Sequence, residues 1–185
     1  MKKSMLILVI VITGFSSFAE IRTPQFYLQQ FDENSYVIAY PDTMTQVEPK
    51  PCESQAYDFA FYDNQGRYEL RYILFSETGT IEDIKNQVNM WALMVISNIA
   101  GKEESIGDTT PFKDPDVKKE FNADYGLTSF IQNPQSDFGA GFKYIMVNFY
   151  YKSGVGLMCQ TILFNNLNVL KQQSFLSVFH SFRFE

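Results

Sequence analysis

The chain reads as an α+β protein: an antiparallel sheet flanked by helices on both faces, an α-β-α sandwich. Three observations predict it. Phe142 to Phe164, FKYIMVNFYYKSGVGLMCQTILF, forms two long strand-like runs broken only at Lys152-Ser153-Gly154. Phe and Tyr are unusually frequent, at 18 and 11, against the lone Trp91, and flat rings pack well on pleated surfaces. A single apolar stripe of helical period lies between two groups of strands, from Ile81 to Ile99.

Length and composition set the frame. With 185 residues, 45% apolar and 19% charged, the chain builds a full core and fits one domain, expected over 20–185. The stretch before it, MKKSMLILVIVITGFSSFAE, has the three parts of a secretory signal over residues 1–19. Lys2 and Lys3 supply positive charge, Met5 to Phe15 is apolar, and small residues Ser17 and Ala19 precede a cut between Ala19 and Glu20. The apolar run is shorter than the about 20 residues of a lasting anchor. No cysteine follows it where a bacterial lipoprotein is lipidated. The expectation is an exported protein, periplasmic or secreted, with no stable membrane span after cleavage; the short Lys-Lys leader suggests a bacterium. The net charge of −6, less the two positive charges of Lys2 and Lys3, gives −8 for the processed chain. Such a balance repels phosphate backbones and argues against nucleic-acid partners.

Taken in order, Phe26–Phe31 and Tyr36–Tyr40 flank Asp32-Glu33-Asn34-Ser35 as a first hairpin. Pro41-Asp42 stops its second strand, and Pro49-Lys50-Pro51 imposes an extended or loop segment. Tyr57–Tyr62 and Arg67–Phe75 flank Asp63-Asn64-Gln65-Gly66, a strong turn signal. Their period-two alternation predicts one face on the core and the other toward water.

The main helix begins at Thr80 as N-cap, with Glu82 and Asp83 in its first turn. Ile81, Ile84, Val88, Trp91, Ala92, Val95 and Ile99 form its inner stripe, and Gly101 ends it. Met90, Leu93 and Met94 widen that stripe, so the helix's second half is expected to be covered. Lys102–Asp114 reads as a polar loop with Gly107 and Pro111, and Asp114-Pro115 opens a short helix to about Asn122. Tyr125–Ile131 reads as a strand and Asn133–Gly141 as a loop. The two long strands then show apolar side chains on both parities, which makes them the covered centre of the only sheet expected. Asn165-Asn166 caps a last helix, Leu167 to about Phe179, before a closing strand at Ser181–Phe184.

Chemistry-bearing groups are sparse. Cys52 and Cys159 are a candidate disulfide pair in an oxidising compartment, closing a loop of about 108 residues worth on the order of 4–5 kcal/mol. Two separate thiols are the alternative, since Cys159 falls within a strand where small buried cysteines are ordinary. His180 is the sole histidine, without a nucleophile motif, and favours a structural or surface role. Asp108, Asp114 and Asp116 lack the alternating ligand ladder of a calcium loop. Glu103-Glu104 and Asp58/Asp63 read as solvated carboxylates rather than a glycosidase pair. Gly139-Ala140-Gly141 lacks the strand, helix and third glycine of a dinucleotide-binding turn. No catalytic residue, metal or cofactor is expected.

The order of elements resembles the PsbP-like superfamily. The carrying residues are Tyr36-Val37-Ile38-Ala39-Tyr40-Pro41-Asp42 as an opening strand ending in Pro, and Phe142-Lys143-Tyr144 through Lys152-Ser153-Gly154 to Gln160-Thr161-Ile162-Leu163-Phe164 as the central hairpin. The helix ending in Phe175–Phe179 and Ser181-Phe182-Arg183-Phe184 resemble the family's terminal strand. The chain departs where many members place a Trp soon after the early Pro; Met44 is nearest here. The resemblance implies the α-β-α sandwich and no single function, because members mostly bind other proteins or act as assembly factors. The resulting expectation is a non-enzymatic periplasmic or secreted protein that binds another protein or an envelope component. One alternative is a small-molecule or lipid binder using aromatics between the sheet and the Met90/Trp91/Met94 helix. A second is a hydrolase centred on His180. Contacts are to be sought at the sheet edges and in the Lys102–Asp114 and Asn133–Gly141 loops.

Overall fold

The strand-rich halves of the chain build a seven-stranded, fully antiparallel sheet in the computed structural model, which describes residues 35–75 and 81–185. The leader with its Ala19–Glu20 cut, the Phe26–Phe31 strand and the Thr80 cap lie outside the described residues. The strands are β1 (Tyr36–Ile38), β2 (Met44–Val47), β3 (Phe59–Asp63), β4 (Tyr68–Phe75), β5 (Ile106–Pro111), β6 (Tyr125–Gln132), β7 (Tyr144–Lys152), β8 (Gly156–Phe164) and β9 (Phe182–Phe184). The helices are α1 (Ile81–Ala100), α2 (Asp114–Phe121) and α3 (Gln173–Phe179). The large sheet runs β2-β3-β4-β8-β7-β6-β5, so the β7–β8 hairpin is central as its two apolar parities require. Every residue of β8 is buried.

Several expectations change. The sheet is not alone: β1 pairs with β9, Val37 opposite Arg183, in a separate two-stranded ribbon. β4 does not turn one parity to water; Tyr68–Leu74 is buried throughout, because β3 and β8 flank it and both sheet faces are covered. The Lys102–Asp114 loop instead holds a 3-10 turn, Glu103–Ser105, followed by edge strand β5, paired to β6 with a register shift between Ile106 and Thr109. β2 is likewise an edge strand that its polar Thr45-Gln46 concealed. The last helix is split at Gln172, whose extended backbone separates the 3-10 turn Leu167–Lys171 from α3. Asn166 does cap that turn, its side chain accepting from the Asn168 N–H at 2.9 Å.

Each face of the sheet has its own core. One face carries Phe61, Leu70, Tyr150, Met158 and Ile162 against the β1–β9 ribbon, α2 and α3. The other carries Ile145, Val147, Phe149, Leu157 and Cys159 against α1. On the first face a polar network lies inside the aromatic core. The Gln160 side-chain amide of β8 donates to Tyr72 Oη, Ser181 Oγ and the Val178 and Phe179 carbonyls at 3.2–3.3 Å. Its oxygen accepts from Asn148 Nδ2 at 3.0 Å, and Thr128 Oγ1 donates on to Asn148 Oδ1 at 2.8 Å. Tyr72 Oη and Ser181 Oγ are 2.6 Å apart. The network fixes the α3–β9 junction over the sheet centre, and a buried amide left unpaired is costly.

At the β3–β4 turn, Asp63 accepts from Arg67 Nη2 at 2.8 Å, Arg67 Nε at 2.9 Å and the Arg67 N–H at 3.0 Å. Burial alone would raise its pKa, but the Arg67 side-chain and backbone hydrogen bonds outweigh burial and hold the carboxyl below the usual carboxylate range.

Replacing Gln160 with Leu leaves the Asn148 side-chain nitrogen without its partner in the core, for an expected loss of about 2–4 kcal/mol in urea unfolding. Tyr72→Phe is expected to cost about 1–2 kcal/mol, whereas Tyr68→Phe stays within about 0.5 kcal/mol. The difference arises because the Tyr68 hydroxyl is buried near Ser174 without a hydrogen bond of normal geometry. For Asp63 the folded value is depressed, so its contribution is present above the ordinary carboxylate range and lost as pH falls through the lower folded value. Asp63→Asn is therefore expected to flatten that part of the acid limb in unfolding curves from pH 5 to about pH 2.

Candidate functional site

α1 has an inner face that explains its presence and an outer face that does not. Ile84, Val88, Ala92, Val95, Ile96 and Ile99 recur at spacings of three and four and are buried on the sheet. Trp91 lies at the flank, half-buried, its ring 5.3 Å from that of Phe75. Met90, Leu93 and Met94 point away and are 63%, 62% and 46% exposed. The expected cover over the second half of α1 is thus not there among the described residues, because the stripe seats only the inner positions. The same geometry keeps Met90 and Met94 from lining a chamber between helix and sheet. The rest of the outer face is Asn86, Gln87, Asn89, Ser97 and Asn98, and Asn86–Gly101 contains no charged residue at all.

The C-terminal end of this face opens into a groove. Gly101 ends α1 at φ +72°, and a Cβ there would lie 2.7 Å from the Ser136 nitrogen, so only glycine permits the close approach. The approach lets the 133–141 loop satisfy the helix's last carbonyls: the Gln135 N–H donates to Ala100 O at 2.8 Å, and Ser136 Oγ donates to Ile99 O. Ser105 Oγ donates to Asn133 O at 3.1 Å, joining the two segments expected to carry contacts. Between α1 and β5 lies an open groove of about 630 Å³ lined by Leu93, Ser97, Gly101, Lys102, Glu103 and Ile106. Lys102 also borders a more polar hollow of about 410 Å³ beside Asn133 and Gln135.

The loop behind the groove is braced from inside. Arg71 lies between the rings of Tyr57 and Phe138, 4.5 and 4.6 Å from their centroids. Its Nε donates to Glu69 Oε1 and its Nη1 to Phe138 O, both at 2.7 Å. Alternation placed Arg71 on a wet face; the covering loop buries it to 2% exposure. At the surface, Asp137 accepts from the Glu53 N–H at 2.7 Å and the Ser54 N–H at 3.2 Å. Hydrogen bonds from the Ser54 hydroxyl and the Glu53 backbone hold its carboxyl well below the usual range.

The remaining candidates are placed elsewhere and are occupied. His180 Nδ1 faces the Leu176 carbonyl at 2.9 Å and Nε2 faces Glu120 Oε2 at 3.0 Å, while the ring stacks on Phe121. With acceptors on both nitrogens, neither is free to serve a nucleophile. Asp58 accepts from the Leu74 N–H at 2.6 Å and Asp63 is clamped by Arg67, so this carboxylate pair is structural. Asp114 and Asp116 are in the first turn of α2, and among the described residues no three His, Cys, Asp or Glu side chains are grouped to hold a metal. Gly139 ends a 3-10 turn and Gly141 turns into β7, at no phosphate-binding helix start. Cys52 and Cys159 are not bonded to each other. Cys159 is fully buried in β8, and burial, with the Asp58 charge beside it, pushes its thiol up. Cys52 is half-buried, its sulfur 3.5 Å from Ser54 Oγ. Among the described residues no helix is long and apolar enough to cross a membrane.

Comparison with known proteins adds a likeness of structure. No family model and no curated protein matches the chain. The solution structure of cyanobacterial PsbP (CyanoP) from Synechocystis sp. PCC 6803 is similar to it at 13% identity, with a TM-score of 0.49, over 83% of this chain and 89% of that one.

Alkylation of the purified protein under non-reducing conditions is expected to label Cys52 alone in the folded state and both thiols after denaturation. Mass analysis that finds only one blocked pair, reducible by dithiothreitol, would contradict the unbonded arrangement.

Proposed function

We propose that the protein is exported to the periplasm or cell exterior and acts there as a non-enzymatic binding protein, holding another protein against the outer face of α1. One observation carries this reading: Met90, Leu93 and Met94 stand exposed together on a helix face with no charge from Asn86 to Gly101. Exposed apolar side chains on a solvated helix are normally interspersed with Lys and Glu, and a patch without them marks a contact surface. Methionine suits such a surface because its flexible, polarisable side chain adapts to a partner. Covering the three side chains is worth on the order of 3–5 kcal/mol before the costs of association. The leader at residues 1–19 supports export. The commitment of both His180 nitrogens weighs against the hydrolase reading.

The test is affinity capture from an envelope extract of the source cells. The wild-type chain is expected to retain a specific partner and the Leu93→Asp and Met90→Asp variants to lose it. Their unfolding free energies are expected to stay within about 0.5 kcal/mol of wild type, because both side chains are on the surface. Equal retention by wild type and both variants moves the contact off this face. An intact mass beginning at Glu20 in the periplasmic or extracellular fraction checks the export step.

A further inference from the structure

We propose that α1 carries an oxidation site. Met90 and Met94 take up oxygen from peroxide-class oxidants ahead of the other described methionines, and the sulfoxides strip the helix's outer face of its apolar character. The inference concerns control of the face discussed above, and its effect on a bound protein rests on that docking reading. Exposure makes the first part of the case. Met44 and Met158 are buried in the core shared with the β1–β9 ribbon, and Met146 is half-buried against it. Among the described methionines, only Met90 and Met94 stand open to water. Met1 and Met5 precede the expected cut at Ala19–Glu20. A dissolved oxidant therefore reaches the α1 pair directly, Met146 in part, and the core pair only when the fold opens.

Placement makes the second part. Met90 and Met94 are four residues apart on α1, so their side chains are neighbours, and Leu93 shares their face. A thioether sulfur is a weak acceptor, whereas the sulfoxide made from it is a polar group that holds water. On a charged surface such a change counts for little. Here Asn86–Gly101 holds no charge, so these three side chains set the face's affinity for apolar matter. Oxidation turns two of the three polar. A partner packed on them then buries sulfoxide oxygens for which an apolar surface has no donors, and that opposes binding.

The oxidant supplies everything the reaction needs. A lone pair on Sδ attacks one oxygen of a peroxide, an S–O bond forms and the O–O bond breaks. The sulfur gives up two electrons. The departing oxygen collects the proton of the transferred one and leaves as water or an alcohol. In the return step a thiol-dependent sulfoxide reductase removes the oxygen as water while two thiols become a disulfide. Both residues are on the surface, so this cycle needs no unfolding.

The test is graded hydrogen peroxide treatment of wild type and of a Met90→Leu/Met94→Leu variant, with the peroxide destroyed by catalase before any readout. Peptide mass mapping of wild type is expected to show one added oxygen at Met90 and Met94 at least about tenfold faster than at Met44 and Met158. Each protein is then compared with its own untreated form by hydrophobic-interaction chromatography and by capture from the envelope extract. Treated wild type is expected to elute earlier and to hold its partner at least about tenfold less well. Sulfoxide reductases for both epimers, supplied with dithiothreitol, are expected to reverse both changes. The double variant keeps half-buried Cys52 and is expected to show neither change, so an effect arising at that thiol appears in both proteins. Oxidation of the core methionines at the same rate overturns the site. Unshifted elution, or an equal shift in the double variant, overturns the loss of apolar character. If oxidised wild type still holds a partner that Leu93→Asp releases, the docking reading stands and its control by oxidation falls. If capture is indifferent to Leu93→Asp while mapping and elution respond, the docking reading falls and the oxidation site stands.

Discussion

A strand buried on both faces cannot exist without two layers above and below it, and β8 is buried at every residue from Gly156 to Phe164. The arrangement of the other elements follows from that demand. Its two hydrogen-bonding edges are taken by β4 and β7, its even-numbered side chains by the β1–β9 ribbon with α2 and α3, and its odd-numbered ones by α1. Residues Leu157, Cys159 and Leu163 explain why the six buried inner-face positions of α1 carry no charge, and Met158 and Ile162 explain why the short α3 turns Phe175 and Val178 inward. The sandwich is the smallest construction that keeps this strand dry.

A hydrocarbon interior alone would leave the second layer free to slide, because apolar contact has no direction. The Gln160 amide supplies direction. It donates to two backbone carbonyls at the end of α3, to a serine before β9 and to a tyrosine of β4, so only one placement of the chain's C-terminal end satisfies it. Arg71 plays the corresponding part on the opposite face. Its guanidinium, held between two rings, fixes the Phe138 carbonyl and with it the loop that closes the end of α1. Each buried polar group thus locates a segment with no regular structure of its own, which apolar burial could not have located.

Much of the large sheet was legible in the residues. The 59–75 hairpin declares itself through alternation, the 144–164 hairpin through apolar residues on both parities, each about a Gly-containing turn, and α1 through its stripe and Gly101. Two kinds of feature were not. β2 and β5 are edge strands of Thr, Gln, Asp and Gly, paired on one side only, so their composition is set by water and resembles a loop. Arg71 and Gln160 are polar residues inside strands, and nothing in their spacing states that a covering segment will bury them. The candidate surface was half legible. Period 3.6 identifies which positions of α1 face the sheet, but it is silent on whether Met90, Leu93 and Met94 are covered from outside. Cover over those residues was the natural expectation for apolar side chains and is the point at which local pattern and tertiary placement part.

The contrast between the β5 edge and the α1 face indicates how contacts on this side of the molecule are limited. An open strand edge invites any extended chain to add to the sheet, and β5 is closed to this by several devices at once. Pro111 lacks an N–H, Asp108 adds charge, and the irregularity between Ile106 and Thr109 breaks the ladder. Across the groove, α1 leaves three large apolar side chains in water with no charge between them. A chain that blocks backbone pairing while exposing side chains a helix away favours association by shape and packing over association by strand addition. Packing of that kind reads the partner's surface residue by residue, whereas a strand edge accepts almost any sequence that can extend. The Gly101–Ser136 approach then acquires a second role beyond capping. It holds Lys102, Glu103 and Glu104 in register at the end of the neutral face, so that its charged boundary is as well defined as its apolar centre.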